Sequence, residues 1–275
     1  MTATHHQMRK RWSKTVLAFT VFSLLPIYWL IVLSLQPNQV SESTLSVLPS
    51  LFTWQYYAFI FNSPDWVNGY LNAAIYVAMN VAITMSVALP AAYGFSRYRF
   101  VGDRHAFFFA FVLRMIPPAI VMIPLVEMFS SAGMIDTHLA VALAHCLFTV
   151  PIAIWILEGF ITAIPPEMDE IARLDGYSRL GFFTKILLPQ IRAGIAVAAF
   201  FCFVFSWAEL ILANALTTVQ AKPIGVVMKI VASPLGQVHI GIASAASVLM
   251  LIPGAVFVWF LRKHLARGLS MGRVG

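Results

Sequence analysis

The sequence predicts an all-α integral membrane protein with six transmembrane helices. Three observations carry that prediction. The 275 residues are 60% hydrophobic and only 11% charged, whereas soluble globular chains hold about 25% charged residues. The apolar runs are long and seldom alternate in polarity, which favours helices over a barrel. At about 20 residues per span, this length holds six spans with modest loops. That leaves no room for a second soluble domain.

The first span, 15–35, follows Arg9, Lys10, Arg11 and Lys14. A basic start before an apolar run also describes a secretory signal. Here the run is too long and no small-x-small cleavage site follows, so it reads as an uncleaved span. Residues 36–69 form the longest stretch outside the spans and include LPSLFTWQYYAFIFNSPDW. Its Trp and Tyr residues predict a helix lying at the outer membrane interface. The remaining spans are 70–95, 106–129, 138–160, 193–216 and 240–262. Pro26, Pro90, Pro117, Pro118, Pro124, Pro151 and Pro253 fall in or near spans, where each is a candidate kink. Cys146 and Cys202 sit in apolar runs and read as small buried hydrophobes, not as a disulfide or metal pair.

Charge orients the bundle. The amino-terminal tail, the loops after spans 2 and 4, and the carboxyl-terminal tail alternate, so all lie on one side. Together they carry fifteen of the eighteen Lys and Arg residues. The opposite side has only Lys222 and Lys229, and Arg114 lies inside span 3. Both termini are therefore expected in the cytoplasm. The division is a cytoplasmic tail 1–14, a six-span domain 15–262 with a polar segment 165–192 between spans 4 and 5, and a cytoplasmic tail 263–275.

That polar segment reads as two short helices. Pro166 suits the start of a helix, and Glu167, Asp169 and Glu170 follow where the helix dipole favours acids. Met168, Ile171 and Ala172 form a small apolar face at helical spacing. Gly176 can take the left-handed conformation that ends a helix. Ser178 can cap a second helix with Leu180, Phe183 and Leu187 on one face, and Pro189 interrupts it.

These residues resemble the signature of the membrane subunits of bacterial ABC importers: Glu-Ala-Ala, three residues, Gly, nine residues, Ile-x-Leu-Pro. Here Glu170-Ile171-Ala172 opens the pattern. Asp175-Gly176 supplies the glycine, and Ile186-Leu187-Leu188-Pro189 closes it. Ile171 departs from the usual Ala, a small apolar exchange. The tail RGLSMGRVG is similar to the ending of carbohydrate-uptake permeases of the maltose-transporter type, and NSPDWVNGYLNAAIYVA, IPPAIVMIPL and IWILEGFITAIPPEMDE extend the likeness over nearly the whole chain.

The resemblance implies the type I importer permease core with a cytoplasmic coupling helix. It also implies a second, similar permease subunit, two ATPase subunits and an extracytoplasmic solute-binding protein in the bacterial inner membrane. Met168, Glu170, Ile171, Ala172, Asp175, Gly176 and Pro189 then become the ATPase-coupling residues. Glu170 would meet basic or polar groups, and Met168 and Ile171 would give the apolar contact. Arg267, Gly268 and Gly272 become candidate tail contacts to the same partner. No Gly-Lys dipeptide occurs, hence no phosphate-cradling Walker A loop. ATP and Mg would be used by the partner ATPases, and this chain would bind no cofactor or metal.

Ionisable and polar groups inside spans mark candidate pathway residues, because lipid exposure is costly. Glu209 leads, with Asn214 and Trp207 nearby; Arg114, Glu127, Glu158 and His145 are lesser candidates. The resembling family often has Trp-Asn where this chain has Trp207-Ala208, which removes one polar group from the transferred site. The alternative reading is an autonomous secondary transporter or membrane-embedded enzyme, but the ionisable groups are scattered and form no constellation. The resemblance implies sugars or polyols as cargo, and WAELILANALTTVQAKPIGVVM looks closer to glycerol or polyol permeases than to maltose ones.

Overall fold

The computed structural model describes residues 2–37, 52–231 and 240–271. Among these, every regular element is a helix. We number them α1 (Thr2–Leu35), α2 (Gln55–Asn62), α3 (Pro64–Arg97), α4 (Asp103–Leu113), α5 (Pro118–Ser131), α6 (His138–Thr162), α7 (Glu167–Leu174) and α8 (Arg179–Phe182). A π-helical turn Phe183–Leu187 leads to α9 (Leu188–Gln190), α10 (Arg192–Ala208), α11 (Ile211–Leu216), α12 (Ile224–Val231) and α13 (Ile240–Met271).

Among the described residues, four helices are long and apolar enough to cross a membrane: Thr15–Leu35 within α1, α3, α6, and Ile240–Arg262 within α13. A fifth span is available if α8–α9 and α10 count together, although they meet at 78°. The expected third span is divided. α4 ends at Leu113, Pro117 is extended, and α5 restarts at Pro118. Neither proline has an N–H to continue the ladder, and the residue before a proline avoids the helical region. The expected fifth span also breaks: Glu209 is extended, and α11 begins two residues later. Pro26, Pro90, Pro151 and Pro253 lie inside continuous helices instead.

The chain divides into two compact units, residues 1–67 with 228–253, and residues 68–227 with 254–275. In the first, α2 forms where a helix was expected in the aromatic stretch, with Tyr56 and Ile60 buried. It is held to α1 by a 2.8 Å hydrogen bond between Ser34 Oγ and Tyr57 Oη. A side chain at Gly241 would collide with the Tyr56 ring, so only glycine allows that approach.

In the second unit, α6 is the central helix. Ala153, Ile154, Leu157 and Ile161 on α6 pack with Ala88 and Ala92 of α3 and with Ala198 and Cys202 of α10. Cys202 is fully buried and Cys146 partly so, and both are free thiols. Asn80 and Thr84 of α3 bond to Thr149 of α6 at 3.1 and 2.7 Å, the kind of polar pairing that joins helices in lipid. At Gly194 an added Cβ would lie 2.5 Å from Phe160 Cγ, so α10 crosses α6 where no side chain fits. Gly194→Leu is expected to cost about 1–3 kcal/mol through overpacking, seen as a lower thermal midpoint in detergent. An unchanged midpoint would show that the two helices separate freely.

Candidate functional site

The segment 165–192 is built largely as its residues imply. α7 starts after Pro166 with Glu167, Asp169 and Glu170 in its first turn. Its end is a Schellman turn. Gly176 takes φ +84, its N–H reaches the Arg173 carbonyl at 3.0 Å, and Tyr177 N–H reaches the Ala172 carbonyl at 2.9 Å. Ser178 Oγ accepts from Gly181 N–H at 3.1 Å and so caps α8. The second helix differs from the simple helix expected. It widens into a π turn, with Leu188 N–H bonded to Phe183 O. Pro189 has no N–H to give, and the wider turn absorbs that missing bond.

α7 is two-faced, and its faces are not divided as helical spacing alone suggested. Asp169 and Ala172 point inward and are buried. Ile171 is 57% and Leu174 88% exposed, and Glu170 lies on the outer side with them. Met168 is half-buried between. Of the second helix's apolar residues, Leu187 and Phe182 enter the core, while Leu180 is exposed. Asp175, Gly176 and Pro189 are exposed. Among the described residues this outer face is an unpaired apolar and acidic ridge. Arg267 and Gly268 lie on the last turns of α13, where side chains are not described, and Gly272 lies outside the described residues.

Glu209 is positioned by the break between α10 and α11. Its carboxylate accepts from the backbone N–H groups of Ile211, Leu212 and Ala213 at 2.7–3.3 Å. It therefore caps α11. The same group lies 3.1 Å from His145 Nε2, whose Nδ1 is 2.8 Å from Ser206 Oγ. A carboxylate only accepts, so Nε2 carries the proton facing it. The trio has the composition of a hydrolytic triad, but Ser206 and His145 are 0% exposed, and no substrate carbonyl can approach the hydroxyl. Tyr76 and Phe205 close over the imidazole edge-on, and Arg114 lies 4.6 Å above the Phe205 ring. Trp207 stacks on Phe203, which stacks on Phe257. Asn214 and Glu127 are exposed, and Glu158 accepts from Thr162 Oγ1 at 2.9 Å. The structure thus gathers Glu209, His145 and Arg114 around Phe205 and leaves Asn214, Glu127 and Glu158 apart from them.

Two further arrangements had no signal in the sequence reading. At the start of α6, Asp136 takes φ 64 and accepts from four successive backbone N–H groups, Thr218 to Ala221, at 2.9–3.1 Å. Burial opposes the charge, but these four bonds win and hold the carboxyl far below its ordinary range. Asn72 strengthens the clamp: its Nδ2 donates to the carbonyls of Gln220 and Lys222, and its Oδ1 accepts from His138 Nε2 at 2.8 Å. Gly133-Met134-Ile135-Asp136 has turn composition, but the partners lie 82–85 residues away. At the far end of α6, Asp169 meets Arg97 and Tyr93 of α3.

Comparison with known proteins agrees with this construction. Residues 84–271 match the family described as binding-protein-dependent transport system inner membrane component. The trehalose transport system permease protein SugB of Mycobacterium tuberculosis is 28% identical over 256 residues, covering 92% of this chain and 93% of that one. The maltodextrin transport system permease protein MdxG of Bacillus subtilis is 24% identical over 261 residues, covering 94% of each. In fold, a chain from a bacterial ABC transporter that imports the acidic polysaccharide alginate superposes with a TM-score of 0.76 at 19% identity, over 92% of this chain and 94% of that one. The match spans the α6–α10 packing, the Schellman-capped α7 and the capped break at Glu209 together, and the chain belongs to the family of inner-membrane components of binding-protein-dependent transport systems.

Proposed function

We propose that the chain is the permease subunit of a sugar-importing ABC transporter, paired with a second permease and driven by two ATPase subunits that use ATP and Mg. An extracytoplasmic solute-binding protein delivers the cargo, and both termini face the cytoplasm. The observation that carries this reading is the outer face of α7. Glu170, Ile171 and Leu174 form an exposed ridge ended by Gly176, which suits a groove on another protein. Met168 borders it, Ala172 seats the helix from within, and Asp175 and Pro189 frame the turns. Arg267, Gly268 and Gly272 would add tail contacts to the same partner. The chain contributes positioning and the passage, and the partners contribute hydrolysis.

Sugar as cargo is supported by relatives named for trehalose, maltodextrin and galactooligosaccharides. The resemblance of residues 207–228 to glycerol or polyol permeases is the ground for including small polyols and glycerol beside sugars in the proposed cargo. Glu209, Asn214 and Trp207 are proposed to border the pathway. Glu209 would act there by fixing the α10–α11 break, because its oxygens already serve α11 and His145. The test is a thermal-shift panel of sugars, polyols, amino acids and metal ions on the cognate binding protein. A sugar or polyol is expected to raise its midpoint, and a response to an amino acid or metal instead would overturn the carbohydrate reading.

A further inference from the structure

By sequence, the segment 165–192 is tied only to its neighbours α6 and α10. In the fold it is also fastened to α3, an element some seventy residues earlier. The fastening is made by Asp169, the acid immediately before the motif glutamate. Asp169 Oδ2 accepts from Tyr93 Oη at 2.9 Å and lies 3.3 Å from Arg97 Nε. The Arg97 and Asp169 side chains are only 7% and 11% exposed. Arg97 Nη2 also donates to the Ile164 carbonyl at 3.0 Å, just ahead of α7. Tyr93 and Arg97 stand one turn apart, so the last turn of α3 presents both to the same carboxylate. The Phe182 and Phe183 rings lie 6.4 and 5.7 Å from the Tyr93 ring. Ser96 Oγ meets Thr162 Oγ1 at 2.8 Å beside them.

The two adjacent acids of α7 therefore have opposite orientations. Glu170 faces outward, and Asp169 faces α3. An ion pair this buried is costly to break by removing one member, because the other charge is left without a partner. Its two ends are each fixed by a hydrogen bond, Asp169 by the one from Tyr93 Oη and Arg97 by the one from its Nη2 to the Ile164 carbonyl, while Arg97 Nε and Asp169 Oδ2 meet as a charge contact and not as a hydrogen bond. Such a contact moves two elements together instead of letting them slide.

We propose that Asp169, Arg97 and Tyr93 form an internal tether that makes α3 part of the moving element. Force delivered to α7 then reaches α3 through side chains, and reaches α6 and α10 through the backbone. Asp169 and Arg97 are positioning residues, which touch neither cargo nor nucleotide. The inference rests on the proposed coupling role of 165–192.

The test compares Asp169→Asn, Asp169→Glu and Tyr93→Phe with Glu170→Lys and Gly176→Val, in the full complex reconstituted in proteoliposomes with its binding protein. Uptake and ligand-stimulated ATP hydrolysis are measured together, alongside the amount of assembled complex. Asp169→Asn is expected to lower uptake per ATP by about tenfold while hydrolysis stays within about twofold. Asp169→Glu, which keeps the charge, is expected to restore most of the loss. Tyr93→Phe removes a single hydroxyl and should show a smaller loss of the same kind, with assembly intact. If Asp169→Asn transports normally while the Glu170 and Gly176 variants fail, the tether is wrong and the coupling reading stands. If all three transport normally, the coupling reading falls and the tether with it. If Asp169→Asn and Tyr93→Phe lower uptake, hydrolysis and assembly in equal proportion, the contact is only structural and the tether is overturned.

Discussion

Gly176→Val is expected to reduce uptake by at least about tenfold while the solute-binding protein keeps its full ligand affinity. The physical cause is backbone conformation. Gly176 sits at φ +84 with nothing within 4 Å of an added Cβ, so the substitution meets no steric clash with its neighbours. It meets the intrinsic penalty of a side chain in the left-handed region, about 1–2 kcal/mol and worse for a β-branched residue. The two bonds of the Schellman turn, Gly176 N–H to Arg173 O and Tyr177 N–H to Ala172 O, set the angle at which α7 meets α8. A relaxed backbone there reorients the ridge of Glu170, Ile171 and Leu174. Glu170→Lys should reach a similar loss by another route, since the residue is exposed and its change leaves the helix seated through Asp169 and Ala172. Uptake is measured in reconstituted vesicles, and ligand affinity on the isolated binding protein. Normal uptake in both variants would remove the coupling role of this segment.

Asp136→Ala is expected to have the largest effect on stability. The substitution strips the acceptor from four backbone N–H groups, Thr218 to Ala221. These are charge-assisted bonds at a half-exposed site, and their joint loss is expected to cost about 2–3 kcal/mol. Asp136→Asn keeps the shape but puts an NH2 group against donors, so it should lose more than half of that. The pH dependence follows from the depressed carboxyl. Because its folded-state pKa lies below the ordinary 3.8, the clamp contributes fully above that value. The contribution declines as pH falls from there toward the folded-state pKa. Thermal unfolding in detergent should therefore show no Asp136-dependent change between about pH 7 and pH 5. An Asp136-dependent loss of stability already at pH 6 would contradict the four-bond geometry.

Local features of the site were largely legible from residues. The Pro166 start, the acids of the first turn, the Gly176 stop and the Ser178 cap are all decided by a few neighbouring atoms, and each appears where its residue type placed it. Spacing put Met168, Ile171 and Ala172 on one apolar face, yet Ala172 packs inward and Ile171 faces out. An eight-residue helix has room for two apolar edges, and only the position of α3 says which is inside. Continuous hydropathy at 106–129 suggested one span, but Pro117 and Pro118 split it into two helices. Proline's missing N–H was visible, while its outcome was not, since Pro90 and Pro151 leave their helices unbroken.

The sequence by itself determined the membrane character, the helical class and the signature from Glu170 to Pro189. Those depend on composition and on contacts within a turn or two of the chain. The tertiary structure alone decided the partners of Asp136, Glu209 and Asp169. The bonds of Asp136 to 218–221 and of Asp169 to Tyr93 cross 82–85 and 76 positions, and Glu209, whose other bonds cap α11 locally, meets His145 across 64; no periodicity carries information over such distances. An ionised carboxylate enclosed by protein needs donors, and the sequence lists many. Which donors it meets is set when α3, α6 and α10 pack, because small residues such as Ala88, Ala92, Ala153 and Gly194 let those helices approach closely.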